Sequence, residues 1–297
     1  MGQRWLDQRR GLGQPPLRRG WFLDQSSVTA AARTPYVTQE PDTTLVSLPA
    51  RLAEEARVGP FAVIVRTRDE FLRWLRAPLP GAEWLQIEGL LADQEVWESA
   101  AQGPARLPLD VILTDPAAEF ANLYRLVEVR IARDVRVTMP VVPGLMKALR
   151  LAVALQLPVR LLPAQPAAAE LAELGEAADF YLRDPSVEAP IEFFHSAFAA
   201  MRGAPAGTLW SILERDPAIF THTDATGQAL LPRDFVAAHL RKLIEDGAEC
   251  AECPWRELCA GYFKLPEPAY SCAGIKAIFA RLEAAAEEIK RDLAGQE

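Results

Sequence analysis

An α/β fold built from parallel strands is what this sequence predicts, and two patterns predict it. From residue 43 to residue 162, short apolar and β-branched runs alternate with helical runs. That is the signature of β/α units whose sheet is covered on both faces. The second pattern is the placement of cysteine: all four in the 297-residue chain fall between Cys250 and Cys272. About six β/α units fit an open, partial (β/α) barrel, with a doubly wound sheet as the alternative that periodicity cannot separate. The cysteine-bearing end reads as a small second domain.

Taken in order, residues 1–42 are arginine-rich and turn-rich with no sustained apolar period, and read as a tail. Arg18 and Arg19 are followed by Asp24-Gln-Ser-Ser27 rather than by an apolar segment, so a twin-arginine export signal is not expected. The barrel is expected over residues 43–206. Thr43–Leu48 and Pro60–Thr67 read as strands, then a helix over Arg68–Arg76, a strand over Trp84–Glu88 and a helix around Ala92–Ala101. Asp110–Thr114 is a further strand, and Pro116–Asn122 begins the next helix. Leu126–Ile131 and Val135–Val141 are short and β-branched, which favours strand. Pro143–Leu157 is strongly helical and leads into a strand over Val159–Leu162.

The C-terminal domain is expected over residues 207–297. A hairpin is predicted around the turn Asp224-Ala-Thr-Gly227, where glycine supplies a positive φ. Asp234–Glu245 reads as an amphipathic helix. A final helix starts at Ser271 or Cys272, with Ile275, Ile278, Phe279, Leu282, Ala286 and Ile289 recurring at helical spacing. At its start Cys272 would gain from the helix dipole, which favours a thiolate.

Half of the residues are apolar, about a quarter are charged and the mean hydropathy is near zero, as in a soluble globular protein. A net charge of −8 argues against nucleic-acid binding, which needs basic surface. No apolar run reaches the roughly 18–20 residues of a membrane span. Clustered cysteines do not resemble a secreted disulfide framework, so a cytoplasmic protein is expected. Neither G-x-G-x-x-G nor a P-loop occurs.

The cysteine spacing is C-x2-C-x5-C-x12-C, with Cys250, Cys253, Cys259 and Cys272 as ligands of one centre. Tetrahedral zinc and an iron–sulfur cluster both take four thiolates, and unligated thiols are the remaining reading. Structural zinc sites often show two C-x2-C knuckles, and here only Cys250 and Cys253 form one. Trp255, Tyr262 and Phe263 can shield such a centre from water.

This run resembles the second half of the SPASM domain, the C-terminal extension of many radical SAM enzymes that modify peptides. In that family a C-x2-C-x5-C run and a later cysteine hold one auxiliary four-iron cluster, matched here by Cys250, Cys253, Cys259 and Cys272. The family's cysteine four residues beyond the run is Phe263 here, and its upstream G-x4-C becomes Gly227 followed by Pro232. The other cluster therefore lacks its ligands. The resemblance spans Phe220 to the C-terminus and implies a partial (β/α)6 radical SAM barrel before it. Such a barrel needs C-x3-C-x2-C after its first strand, but the loop Pro49–Val58 contains no cysteine, nor does any earlier or later position before Cys250. What the resemblance implies is one 4Fe–4S cluster, no S-adenosylmethionine chemistry, and a pseudoenzyme serving a partner enzyme or a peptide substrate. The alternative is a zinc-stapled binding or scaffold protein with no redox role.

Other titratable residues point to packing. His195 lies in an apolar helix start beside Glu192 and Ser196, His222 in the expected hairpin, and His239 on the amphipathic helix Asp234–Glu245, at its surface or its boundary with the core. Glu88, Asp115 and Asp184 follow expected strands, where barrels place functional loops, but helix capping and turns explain them equally.

Overall fold

Within the strands, residues alternate between two faces, and both faces are buried. The computed structural model describes residues 44–55, 59–103 and 107–294; the arginine-rich tail lies outside them. The strands are β1 (Leu45–Pro49), β2 (Phe61–Val65), β3 (Ala82–Glu88), β4 (Leu109–Ile112), β5 (Val135–Pro140), β6 (Val159–Leu162), β7 (Ile191–Glu192) and β8 (Phe220–His222). They form one parallel sheet in the order β7-β6-β5-β4-β3-β2-β1-β8. The order runs without reversal from β1 to β7, so no switch point of a doubly wound sheet exists. This is an open, curled half-barrel.

The curl has a direct signature. Trp84 on β3 and Phe220 on β8 stack with ring centroids 5.5 Å apart, although β2 and β1 lie between their strands. In a flat sheet three strand spacings would separate them by about 14 Å. With Leu45 and Ala62 they form a small apolar layer inside the curl, separate from the main core. The outer face, with Val63, Leu85, Ile87, Val111, Val137 and Leu161, belongs to the large core beneath the helices.

Those helices are α1 (Arg68–Arg76), α2 (Gln94–Gln102), α3 (Leu126–Ala132), α4 (Leu145–Ala154), α5 (Ala168–Arg183), α6 (Phe194–Met201), α7 (Phe235–Glu245) and α8 (Ala273–Ala294), apart from shorter turns. Thr67 and Glu70 close a capping box on α1, and the Asp93 side chain accepts from the Val96 N–H to start α2. The segment Leu126–Ile131, expected as a strand, is helical in α3. Leu126 and Val129 are buried three residues apart while Ile131 is exposed, so packing of one helical face outweighs β-branched propensity.

Two differences concern the C-terminal part. The expected hairpin does not form as a strand pair: Phe220–His222 becomes β8 and joins β1 in parallel. The turn survives, with Asp224 accepting from Thr226 and Gln228 and Gly227 at φ +85°, closed by a single antiparallel bridge between Thr223 and Ala229. The segment from residue 207 also shares the main core. Ile275, Ile278, Phe279, Leu282, Ala286 and Ile289 are buried in the same cluster as the barrel helices, and α8 packs on α5 and α6. A Cβ on Gly274 would stand 2.4 Å from Leu171 Cδ1, so glycine permits that close approach. Among the described residues no helix is long and apolar enough to cross a membrane.

Candidate metal centre

Cys250, Cys253, Cys259 and Cys272 line one small cavity, together with Glu249, Arg256, Gly261, Phe263, Lys264, Ile275, Lys276 and Phe279. The local chain explains how they meet. Cys250 to Cys253 is a tight turn, the Cys253 N–H donating to the Cys250 carbonyl at 3.3 Å. Arg256–Cys259 is a single helical turn that stops because Ala260 and Gly261 both have positive φ, +45° and +73°. This double left-handed turn sends the Tyr262 and Phe263 N–H groups back to the Cys259 sulfur. Trp210 Nε1 donates to the Ala260 carbonyl at 2.9 Å, and His239 Nε2 reaches the Gly261 carbonyl at 3.2 Å, holding the turn from outside. Cys272 stands immediately before α8, its N–H donating to Glu249 Oε1 at 2.9 Å.

The charges around the cavity are uneven. Lys264 and Lys276 share one carboxylate, Glu249, so two cations against one anion leave one positive charge, while Arg256 at the edge pairs with Glu257 at 3.6 Å and donates to the Ala251 carbonyl. Lys264 is buried and donates to Glu249 Oε1 at 2.9 Å, while Lys276 pairs with Oε2. Burial pulls the Glu249 carboxyl upward, but hydrogen bonds from Lys276, the Cys272 N–H and Lys264 bring it down to about 2. The thiols behave oppositely. Burial pushes Cys259 up to about 11 against the pull of its two N–H donors. It pushes Cys272 up to about 12, with Lys264 pulling down and Glu249 adding to the rise. Without a cation at the sulfurs, desolvation thus opposes the thiolate that the helix dipole favours at Cys272.

A four-thiolate centre fits this residue set. Four thiolates with a zinc ion, or with an oxidised four-iron cube, carry a net charge near −2, which the surplus positive charge of the Lys264–Lys276 pair offsets in part. The donors are soft sulfurs, and the N–H groups aimed at Cys259 are the kind of bond that tunes such a site. No three His, Cys, Asp or Glu donors among the described residues are already gathered as ligands; neutral thiols have no charge that draws them onto a point. The cavity measures about 20 Å³, room for about one water. Phe263 and Phe279 wall it, and Trp255 packs on Phe279 at 5.8 Å. Phe193 joins this wall to the barrel, its ring 6.3 Å from Phe263 and 6.2 Å from Phe279. Its φ of +89° is strained for an aromatic residue.

A second polar site fills the barrel interior, and sequence reasoning missed it. Asp110, Arg136 and Arg160 point inward from β4, β5 and β6, and Glu214 reaches in from the segment before β8. Arg136 donates to Glu214 Oε1 at 2.7 Å and Asp110 Oδ2 at 2.8 Å; Arg160 donates to the same Asp110 oxygen at 2.7 Å and pairs with Glu214. Thr138 Oγ1 donates to Asp110 at 2.5 Å. Burial raises the Glu214 carboxyl, but the two guanidiniums outweigh it and hold it at about 2. The signal in the sequence was an arginine between apolar residues in two short strands, Val135-Arg-Val137 and Val159-Arg-Leu161.

The histidines and strand-end carboxylates are structural. His195 is buried, Nδ1 lying 3.3 Å from Tyr181 Oη, and Ser196 donates to Glu192 rather than to the imidazole. His222 Nε2 donates to the Glu214 carbonyl at 2.7 Å, and burial with Arg215 nearby lowers its pKa to about 4. His239 stacks on Phe235. Asp115 caps the turn at Pro116, Asp184 accepts from Ser186, and Glu88 pairs with Arg66 at 2.7 Å. No family model matches the chain, and comparison with curated proteins and solved structures likewise finds no match.

Proposed function

We propose that this protein binds one 4Fe–4S cluster through Cys250, Cys253, Cys259 and Cys272 and takes part in peptide or protein modification or electron transfer beside a partner enzyme. The observation that carries the metal reading is the shared cavity: all four cysteines, up to 22 positions apart in the chain, line one space beside two lysines that share a single carboxylate. The half-barrel is consistent with the partial barrel that the SPASM resemblance implies, although its sheet has eight strands rather than six and draws β8 from the C-terminal segment. The missing C-x3-C-x2-C argues for an accessory role rather than S-adenosylmethionine cleavage. Lys264, Lys276 and the N–H groups of Tyr262 and Phe263 would stabilise the anionic centre. A cluster supplies electron transfer or structural stapling at this position.

The narrowness of the cavity favours a second reading, a single zinc ion in the same thiolates with no redox role. Metal and sulfide analysis after anaerobic reconstitution separates the two. About four iron and four sulfide per chain support the cluster. One zinc without sulfide replaces it with the staple, and neither metal overturns both.

A further inference from the structure

At the mouth of the half-barrel a cavity of about 240 Å³ is lined by Leu162, Trp210, Phe220, Leu230, Leu231 and Leu265, with Arg215, His222 and Tyr262 as its polar groups. The short stretch Gly261–Leu265 separates it from the cysteine cavity: Tyr262 and Leu265 face the mouth, Gly261, Phe263 and Lys264 the cysteines. The volume lies just below the ~300 Å³ at which pockets for drug-sized molecules begin. It suits one ring or one branched aliphatic group with a polar end. Leu230 is 59% exposed at the rim, an apolar side chain held in water where a ligand body would cover it.

The charge at the mouth is not balanced. Beneath it Arg136 and Arg160 are matched by Asp110 and Glu214, two cations to two anions. Arg215 adds a third cation, leaving one positive charge. The residue is exposed as a whole, but desolvation at its guanidinium lowers the pKa while Tyr262 and Glu214 pull it back up, and the group makes no hydrogen bond or close ion pair with a side chain among the described residues. Asp216, next in the chain, is turned away: it accepts from the Ala218 N–H at 3.0 Å and lines a different groove. His222 is neutral at pH 7, and it uses its Nε2 proton on the Glu214 carbonyl. Burial raises the Tyr262 hydroxyl, which therefore stays protonated and able to donate.

We infer that the barrel mouth binds a monoanionic carboxylate with an apolar body, Arg215 pairing with the carboxylate and the leucines, Trp210 and Phe220 covering the body. Burial lowers the Arg215 pKa from a starting point far above neutral, a bound carboxylate would raise it again, and the guanidinium presents a planar fork that matches two carboxylate oxygens. A free aromatic or branched acid and the C-terminal residue of a peptide share this chemistry. The inference does not depend on the cysteines holding a metal.

Calorimetry on the full chain tests it with two matched pairs: hydrocinnamate against hydrocinnamamide, and N-acetyl-leucyl-phenylalanine against its C-terminal amide. We expect at least one acid to bind about tenfold or more tighter than its amide. Arg215→Gln should abolish that preference, Arg215→Lys should restore part of it, and Leu230→Asp should weaken the acid and the amide together. Arg215 and Leu230 are both exposed, so thermal unfolding of the variants should match the wild type and exclude misfolding. Preference confined to hydrocinnamate identifies a free acid, and preference confined to the dipeptide identifies a chain end. Equal binding of acid and amide, no binding of any probe, or a preference that survives Arg215→Gln overturns the proposal.

Discussion

In the barrel interior Arg136 and Arg160 face Asp110 and Glu214, and every charge has its opposite within hydrogen-bond distance. Beside the cysteine cavity Lys264 and Lys276 share Glu249 alone, and burial pushes the neighbouring Cys259 and Cys272 thiols toward the neutral form. The two sites use the same residue types to different ends. The interior network is complete as it stands and fixes the curl of the sheet, because Glu214 clamps two strands from the segment that leads into β8. The cysteine cavity is incomplete, since two lysines share one carboxylate and the remaining positive charge has no anion until the thiols ionise around a metal. A closed charge set indicates structure, and an open one indicates a ligand.

The largest effect should come from opening the closed set. Glu214→Ala leaves Arg136 and Arg160 sharing one carboxylate in a buried site, and breaking a buried pair costs about 3–5 kcal/mol. Urea unfolding measures it. Metal content per folded chain should stay at the wild-type value, because Glu214 touches no cysteine. A cost below about 1 kcal/mol would mean water enters the interior and the set is not closed.

Acid should produce the next largest change. The folded pKa of Glu214 is lowered from 4.5 to about 2, so its stabilisation is complete above 4.5 and is lost as pH falls from there toward about 2. That difference is on the order of 3 kcal/mol. Unfolding free energy followed from pH 6 to pH 2 should decline over that window, and Glu214→Gln should flatten the decline. An identical acid limb in the variant would assign the loss to other carboxylates.

The smallest effect concerns the open site. A Cβ on Gly261 would lie 2.7 Å from Leu243 Cδ1, at a φ of +73°. Gly261→Ala should therefore cost about 1–3 kcal/mol and, unlike Glu214→Ala, should lower metal retention by displacing the N–H groups aimed at Cys259. Full stability with full metal content would show that the turn tolerates the change and does not position Cys259.

The outer face of the barrel was legible because period-two strands and capped helices are local properties. Val135–Val141 and Val159–Leu162 were read within a residue or two of β5 and β6. All six residues read in the α8 stripe from Ile275 to Ile289 are buried, with Ala285 added to them, because helical spacing decides which side chains share a face. The four cysteines were legible as one group because unequal short spacings still bring them within reach of each other. Their surroundings were not: Glu249, Lys264 and Lys276 are ordinary surface types until the fold turns them toward the sulfurs. Leu126–Ile131 misled for the same reason, its β-branched residues being recruited to a helical face by packing.

By itself, then, the sequence determined the alternation of strands and helices, the amphipathic last helix and the grouping of all cysteines at one end. Only the tertiary structure decided that Phe220–His222 would leave its hairpin for β1, that Glu214 would meet Arg136 and Arg160, and that residues after 207 would share the barrel's core. Each of these joins residues about 50 to 180 positions apart, where no local propensity acts and the pairing is set by closing long loops around a common core.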